Sequence, residues 1–339
     1  MGRLLPLAAL LALVPVGPAL AAKPKPSTWA KAEIELVTAH GLLGGNATTF
    51  KPDAPITRGD LAALLAGLTG RPQAPVASPA SPLDLQGLDA RLVYGLGLKA
   101  ISARFAAAAR DAGIDAPPRF GTEVVARLLG LRTNHPVKDE SLERLPAEPA
   151  SRAEAAYSAA QILRFRGWEL EGVRAAADGF TIPTLSDWQR RILATAFGLV
   201  GYPYVWGGTS ETTQLLGTAM APGGFDCSGF VWRVYKQQPD PAGRALASTL
   251  KGRTTFQMSA EVPKAKRIGY AALQPADVIF FGARGPASAP SVVDHMAIYV
   301  GNGWFVHSSV RGVALERLQG WYRQRFAWGR RPLAEAGLA

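Results

Sequence analysis

The segment GGFDCSGF at 223–230 carries the chain's single cysteine, Cys227, and the reading of its surroundings starts there. Gly223 and Gly224 break whatever precedes them. Asp226 is a helix-capping residue type, and the spacing of Phe230, Val231, Val234 and Tyr235 after it is helical. Cys227 therefore sits at a loop-to-helix junction, where unpaired backbone N–H groups stabilise a thiolate. One cysteine excludes an intramolecular disulfide. A free cysteine is more commonly a small buried apolar residue, so the thiol needs partners elsewhere in the chain before reactivity is assigned to it.

Two of the four histidines supply candidates. The runs DVIFF (277–281), HMAIYV (295–300) and WFVH (304–307) read as strands, the last two joined by the turn Gly301-Asn302-Gly303. A two-residue period puts His295, Ala297 and Tyr299 on one face. The hairpin brings His307 beside His295, so that one ring can accept the thiol proton while the other holds it in the required tautomer. One Cys and two His lack the close pairing of zinc ligands, so neither metal nor cofactor is expected. Asp277 reads as structural, at a strand start.

Upstream of Cys227, the spacing of Trp188, Ile192, Leu193, Ala196, Phe197 and Val200 predicts a helix, broken by YPYVWGG at 202–208. Residues 1–22 carry Arg3, an apolar run and the small residues Ala19, Ala21 and Ala22, the pattern of a cleaved secretory signal peptide. The run is short of the about 20 apolar residues a spanning helix needs. The mature chain is therefore expected outside the membrane.

Residues 23–184 read as helical. Trp29, Ile34 and Val37 have helical spacing, Gly41 and Gly44-Gly45 break it, and Ile56-Thr57-Arg58 opens a second apolar helix. The proline-rich stretch 71–82 reads as a linker or long loop. FGTE at 120–123 and PASRAE at 149–154 each precede a further apolar helix, with Thr122 and Ser151 in the N-cap position. Of the formal charge of +11, residues 185–339 contribute 17 Lys and Arg against 9 Asp and Glu, and residues 23–184 contribute 19 against 17. A basic C-terminal part favours polyanions such as wall carboxylates and phosphates. The cations are scattered and accompany no nucleic-acid-binding motif, so nucleic acid is not expected as a partner.

In their order, YVWGG (204–208), FDCSGF (225–230), ADVIFF (276–281), DHMAIYVGNG (294–303) and FVHSS (305–309) resemble the NlpC family of peptidoglycan peptidases. The resemblance covers 185–332 and leaves 333–339 as a tail. It implies an α+β class: a papain-like domain whose cysteine-bearing helices pack on an antiparallel sheet carrying the histidines. It also implies Cys227 as nucleophile, His295 as base, His307 as the third polar residue, and Tyr204, Asp226 and Ser228 around the substrate. For Asp226, a plain helix cap is an equal alternative, and the backbone N–H of Cys227 is the expected oxyanion donor. The reaction implied is cleavage after γ-D-glutamate and before diaminopimelate or lysine. A muramoyl-alanine amidase, a peptide acyl transferase and a non-catalytic wall-binding protein stay open beside it. The N-terminal part resembles S-layer homology repeats, at about 29–70, 83–131 and 132–168. That likeness implies an all-α domain holding anionic secondary wall polymer through Arg58 and Arg152, and a wall, extracellular or periplasmic location. Insertions at 209–224 and 283–293 depart from the family pattern beside the expected site.

Overall fold

The computed structural model describes residues 29–339 except 240 and 242; the expected signal peptide lies outside the described residues. Seven helices build the N-terminal part: α1 (Lys31–Ala39), α2 (Arg58–Thr69), α3 (Leu85–Gly95), α4 (Lys99–Asp111), α5 (Phe120–Leu128), α6 (Arg152–Leu163) and α7 (Trp168–Asp178), with a 3-10 turn at Val137–Leu142. Side chains of Thr57, Asp84 and Ser151 cap α2, α3 and α6 by accepting from the N–H three residues on. Each such cap contributes about 1 kcal/mol. The backbones just before these caps close a ring. Ile56 N–H donates to Ala150 O at 2.9 Å, Ala150 N–H to Leu83 O at 2.8 Å, and Leu83 N–H to Ile56 O at 3.0 Å. Three helix starts thus share one centre. The expected cap at Thr122 is corrected: α5 begins at Phe120, and the Thr122 hydroxyl donates back to Arg119 O. Asp84 has the capping role in the middle of the chain's three. The stretch 71–82 holds no helix, but it is no free tether, because Arg58 N–H binds Ser81 O and Gly59 N–H binds Pro79 O.

The C-terminal part opens with α8 (Asp187–Gly198). The insertion at 209–224 folds as short ladders, β1 (Thr209–Ser210) with β4 (Gly224–Phe225) and β2 (Gln214–Leu216) with β3 (Ala219–Ala221). Then come α9 (Cys227–Lys236), α10 (Gly243–Thr249) and α11 (Thr255–Ala260). An antiparallel sheet follows, ordered β8-β7-β6-β5-β9: β5 (Val278–Gly282), β6 (Val293–Gly301), β7 (Trp304–Ser309), β8 (Gly312–Arg317) and β9 (Phe326–Arg330). Two short helices, α12 (Gly320–Arg325) and α13 (Pro332–Glu335), flank β9. Alternation along the strands sorts the sheet's faces. Val278, Phe280, Met296, Ile298 and Val306 join the main core with Phe230, Val231 and Val234 of α9. Ile279, Phe281, Ala297, Tyr299 and Phe305 form a smaller cluster on the other face.

The helical and catalytic-type parts are not beads on a string. Phe105 of α4 and Phe180 pack on Trp304 of β7, and Phe120 stacks on Phe197 of α8 at 4.4 Å. Under this seam lies a buried charge network. Arg132 bridges Asp89 and Glu154, Arg127 pairs with Glu123 and donates to Gly201 O, and His135 Nε2 lies 3.0 Å from Glu154. Among the described residues no single helix is long and apolar enough to cross a membrane.

Candidate active site

Cys227 is the first residue of α9, and Asp226 caps that helix by accepting from Gly229 N–H at 2.5 Å. Glycine at 229 is dictated by packing: a Cβ there would stand 1.8 Å from Gly208 O, so YVWGG and the first turn of α9 touch backbone to backbone. The Cys227 thiol is partly buried beside Thr255 Oγ1 at 3.4 Å, and it takes a hydrogen bond from the backbone of Met296, the residue after His295. Burial pushes the thiol pKa up, and the Thr255 and backbone hydrogen bonds offset only part of this.

His295 Nε2 and His307 Nδ1 are 2.7 Å apart, their rings nearly perpendicular. The hairpin register explains the pairing. Tyr299 faces Phe305 and Ile298 faces Val306, which places the two histidines on the same face and diagonal to each other. Phe281, Phe305 and Tyr322 enclose the rings. Burial lowers the His295 imidazole to about 4, although Asp294 pulls it upward. Burial, then the neighbouring His295, takes His307 well below its ordinary value. Both rings are neutral at pH 7, and so is the thiol. With His295 Nε2 engaged by His307, its Nδ1 is the nitrogen left for another partner. His307 Nε2 in turn meets Ser309 Oγ at 3.3 Å, a member of the chain that the sequence pattern alone did not single out.

Asp226 and Ser228 come together, but around a residue the sequence reading missed. Arg253 donates to both Asp226 carboxylate oxygens at 3.2 and 3.1 Å, to Ser228 Oγ at 2.8 Å and to Gly207 O at 2.8 Å. The capping alternative for Asp226 is thus realised, and its charge is matched by a guanidinium. Arg253 lies 26 residues downstream of the cysteine in an unpatterned loop, so only the fold brings it here. The Tyr204 hydroxyl is half-buried, and burial followed by the neighbouring Cys227 and Asp226 raises its pKa, so it stays protonated. Asp277 is fully buried and receives both Gln274 N–H and a bidentate Arg331, the structural role expected of it.

Arg58 and Arg152 do not line one pocket. Arg58 borders a cavity of about 250 Å³ with Arg71 and Arg91. Arg152 instead donates to Leu43 O, pairs with Asp60 and lies over Phe50.

Residues 201–331 match the family model described as NlpC/P60 family. Residues 201–331 are thus similar to NlpC/P60 domains. Residues 22–62 match the S-layer homology domain, so α1 and the start of α2 lie in one such repeat. The chain is 33% identical over 135 residues to the probable peptidoglycan endopeptidase LytE of Bacillus subtilis (strain 168), covering 39% of this chain and 30% of that protein. It is 34% identical over 117 residues to the murein DD-endopeptidase MepH of Escherichia coli (strain K12), covering 34% of this chain and 35% of that protein. The matches thus span about a third of these relatives' length. A solved NlpC/P60 family protein from Bacillus cereus is 28% identical, with 45% of this chain and 42% of that one covered and a TM-score of 0.34. The NlpC/P60 match contains every catalytic candidate named above, while α1–α7 lie outside it.

Proposed function

We propose that the chain is an exported cell-wall hydrolase that cleaves peptidoglycan stem peptides through a Cys227–His295–His307 site. The observation that carries the reading is the 2.7 Å contact between the two imidazoles, on β6 and β7, with the β6 backbone at Met296, next to His295, bonded to the thiol at a helix start. In the proposed reaction His295 Nδ1 takes the thiol proton as Cys227 Sγ attacks the amide carbonyl carbon. The resulting oxyanion is met by the Cys227 backbone N–H and the protonated Tyr204 hydroxyl. Collapse breaks the C–N bond, and His295 returns the proton to the leaving amine. Water, deprotonated by His295, then attacks the thioester and releases the carboxylate and the thiol. His307 fixes the His295 tautomer, donating its own Nε2–H toward Ser309. Tyr204, Asp226, Ser228 and Arg253 form the wall next to the nucleophile.

The bond assigned is the one between γ-D-glutamate and diaminopimelate or lysine. MepH is by name a DD-endopeptidase, so bond choice is decided by products. A new diaminopimelate or lysine α-amine supports the assignment, whereas a free muramoyl lactyl carboxylate marks an amidase. Purified peptidoglycan is digested with the chain and with Cys227→Ala, and fragments are identified by mass. Hydrolysis is expected from the first alone, and equal hydrolysis by both refutes the mechanism.

The helical part is proposed to hold anionic wall polymer at the cavity bordered by Arg58, Arg71 and Arg91, a set of three cations with no carboxylate in its lining. Pelleting with wall sacculi is expected to weaken on Arg58→Ala; unchanged pelleting removes this role.

A further inference from the structure

Asn134 belongs to the helical part, 67 residues before the NlpC/P60 match begins, yet its side chain bonds both the Tyr204 loop and the end of the strand that carries His307. Its Oδ1 accepts from Tyr204 N–H at 3.2 Å, its Nδ2 donates to Ser309 O at 2.7 Å, and its own N–H donates to Val310 O at 2.8 Å. Tyr204 belongs to the YVWGG wall. Ser309 is the residue whose hydroxyl meets His307 Nε2. One amide thus ties the Tyr204 loop to the end of β7, the strand that carries His307.

The segment carrying Asn134 is held rigidly on both sides. Arg132 is locked between Asp89 and Glu154, and His135 is held at Nε2 by Glu154 and at its backbone N–H by Glu143 at 2.6 Å. Five residues on, Glu140 accepts from Trp206 N–H at 2.7 Å, a second grip on the same wall. A freely mobile anchor domain would not need a buried charge network under the residue that touches its neighbour's active-site loop.

We infer that Asn134 is a positioning residue of the NlpC/P60 active site: the helical part completes the cleft, and Asn134 sets the distance between Tyr204 and the His307–Ser309 strand. This rests on the catalytic reading above. The route of action is Asn134 to Ser309, Ser309 to His307, His307 to His295. A shift of about 1 Å in such a constellation lowers turnover by about 100-fold.

Because Cys227 is the only cysteine, its alkylation by iodoacetamide reports the site without any substrate. The full chain is compared with Asn134→Ala and Asn134→Asp. The second variant keeps an acceptor for Tyr204 N–H but loses the donor to Ser309 O. Expected are a 10- to 100-fold fall in kcat with KM within threefold for Asn134→Ala, a displaced pH profile of alkylation in both variants, and unchanged far-UV circular dichroism. Native circular dichroism with kcat and the alkylation profile both as in wild type overturns the inference. So does a fall in kcat that merely follows the fraction unfolded. If wild type cleaves no peptidoglycan while the alkylation profile still shifts, the catalytic reading fails and the positioning role stands.

Discussion

Replacing Arg132 by Met should destabilise the whole chain far more than an ordinary arginine substitution. The Arg132 side chain is 5% exposed and its partners Asp89 and Glu154 are 0% and 8% exposed. Arg132→Met leaves two buried carboxylates without their guanidinium, and removing one partner of a buried pair costs about 3–5 kcal/mol. His135 remains beside Glu154 and offsets part of this, so the lower half of that range is expected. For a chain of this size each kcal/mol shifts Tm by roughly 1.4 °C, giving a drop of about 4–6 °C. Scanning calorimetry of wild type, Arg132→Met and the exposed control Arg174→Met measures it; the control should stay within about 0.5 kcal/mol of wild type. A triple change of Arg132, Asp89 and Glu154 to apolar residues should recover part of the loss, because no carboxylate is then stranded, although His135 loses the partner of its Nε2. A Tm for Arg132→Met within 2 °C of wild type would refute the reasoning, since the network would then be solvated and not structural.

Three more outcomes follow from the same geometry. His295 must be neutral to accept a proton, so kcat/KM against pH should hold through the range around 6.5 and fall only as pH drops through about 4; an acid limb near 6.5 would mean the ring is not desolvated. Glu123 and Glu143 are both raised to about 7 by burial, and His135 is raised by its Glu154 hydrogen bond against the lowering effect of burial. All three bind protons more tightly folded than unfolded and so favour the folded state as pH falls from 8 to 5.5, whereas His295 and His307, lowered by burial, oppose it below about 6.5. Glu143→Gln should therefore gain less Tm, or lose more, than wild type over that range by scanning fluorimetry, and parallel Tm profiles contradict this. Glu154 is shifted the opposite way and gives back stability only at lower pH, as its carboxylate protonates. Finally, His307→Ala should lower kcat by about 100-fold or more with little change in KM, and near-wild-type kcat in stopped assays would remove His307 from the relay.

The catalytic-type half was legible because its signals are local. A helix start at Cys227 follows from a capping residue and a 3.6 period, and the diagonal of His295 and His307 follows from a two-residue period across a short turn. Strands β8 and β9 were not read, since each borrows its burial from neighbours distant in sequence. In the helical half, Thr57 and Ser151 were legible as caps, whereas Thr122 was misplaced because a Thr inside a first turn looks the same in sequence as one before it.

The sequence by itself determined the candidate nucleophile, the pairing of the two histidines, the NlpC/P60 likeness of the C-terminal part and the helical character of the rest. Each depends on spacings of a few residues, which backbone geometry converts directly into proximity. Only the tertiary structure decided that Arg253 neutralises Asp226, that the three capped helix starts close a ring, and that Asn134 and Glu140 grip the YVWGG wall. Those contacts join residues 27 to 94 positions apart. Such separations leave no periodic trace, because they are fixed by which faces of whole elements bury one another and by the need of every buried charge and backbone group to find a partner.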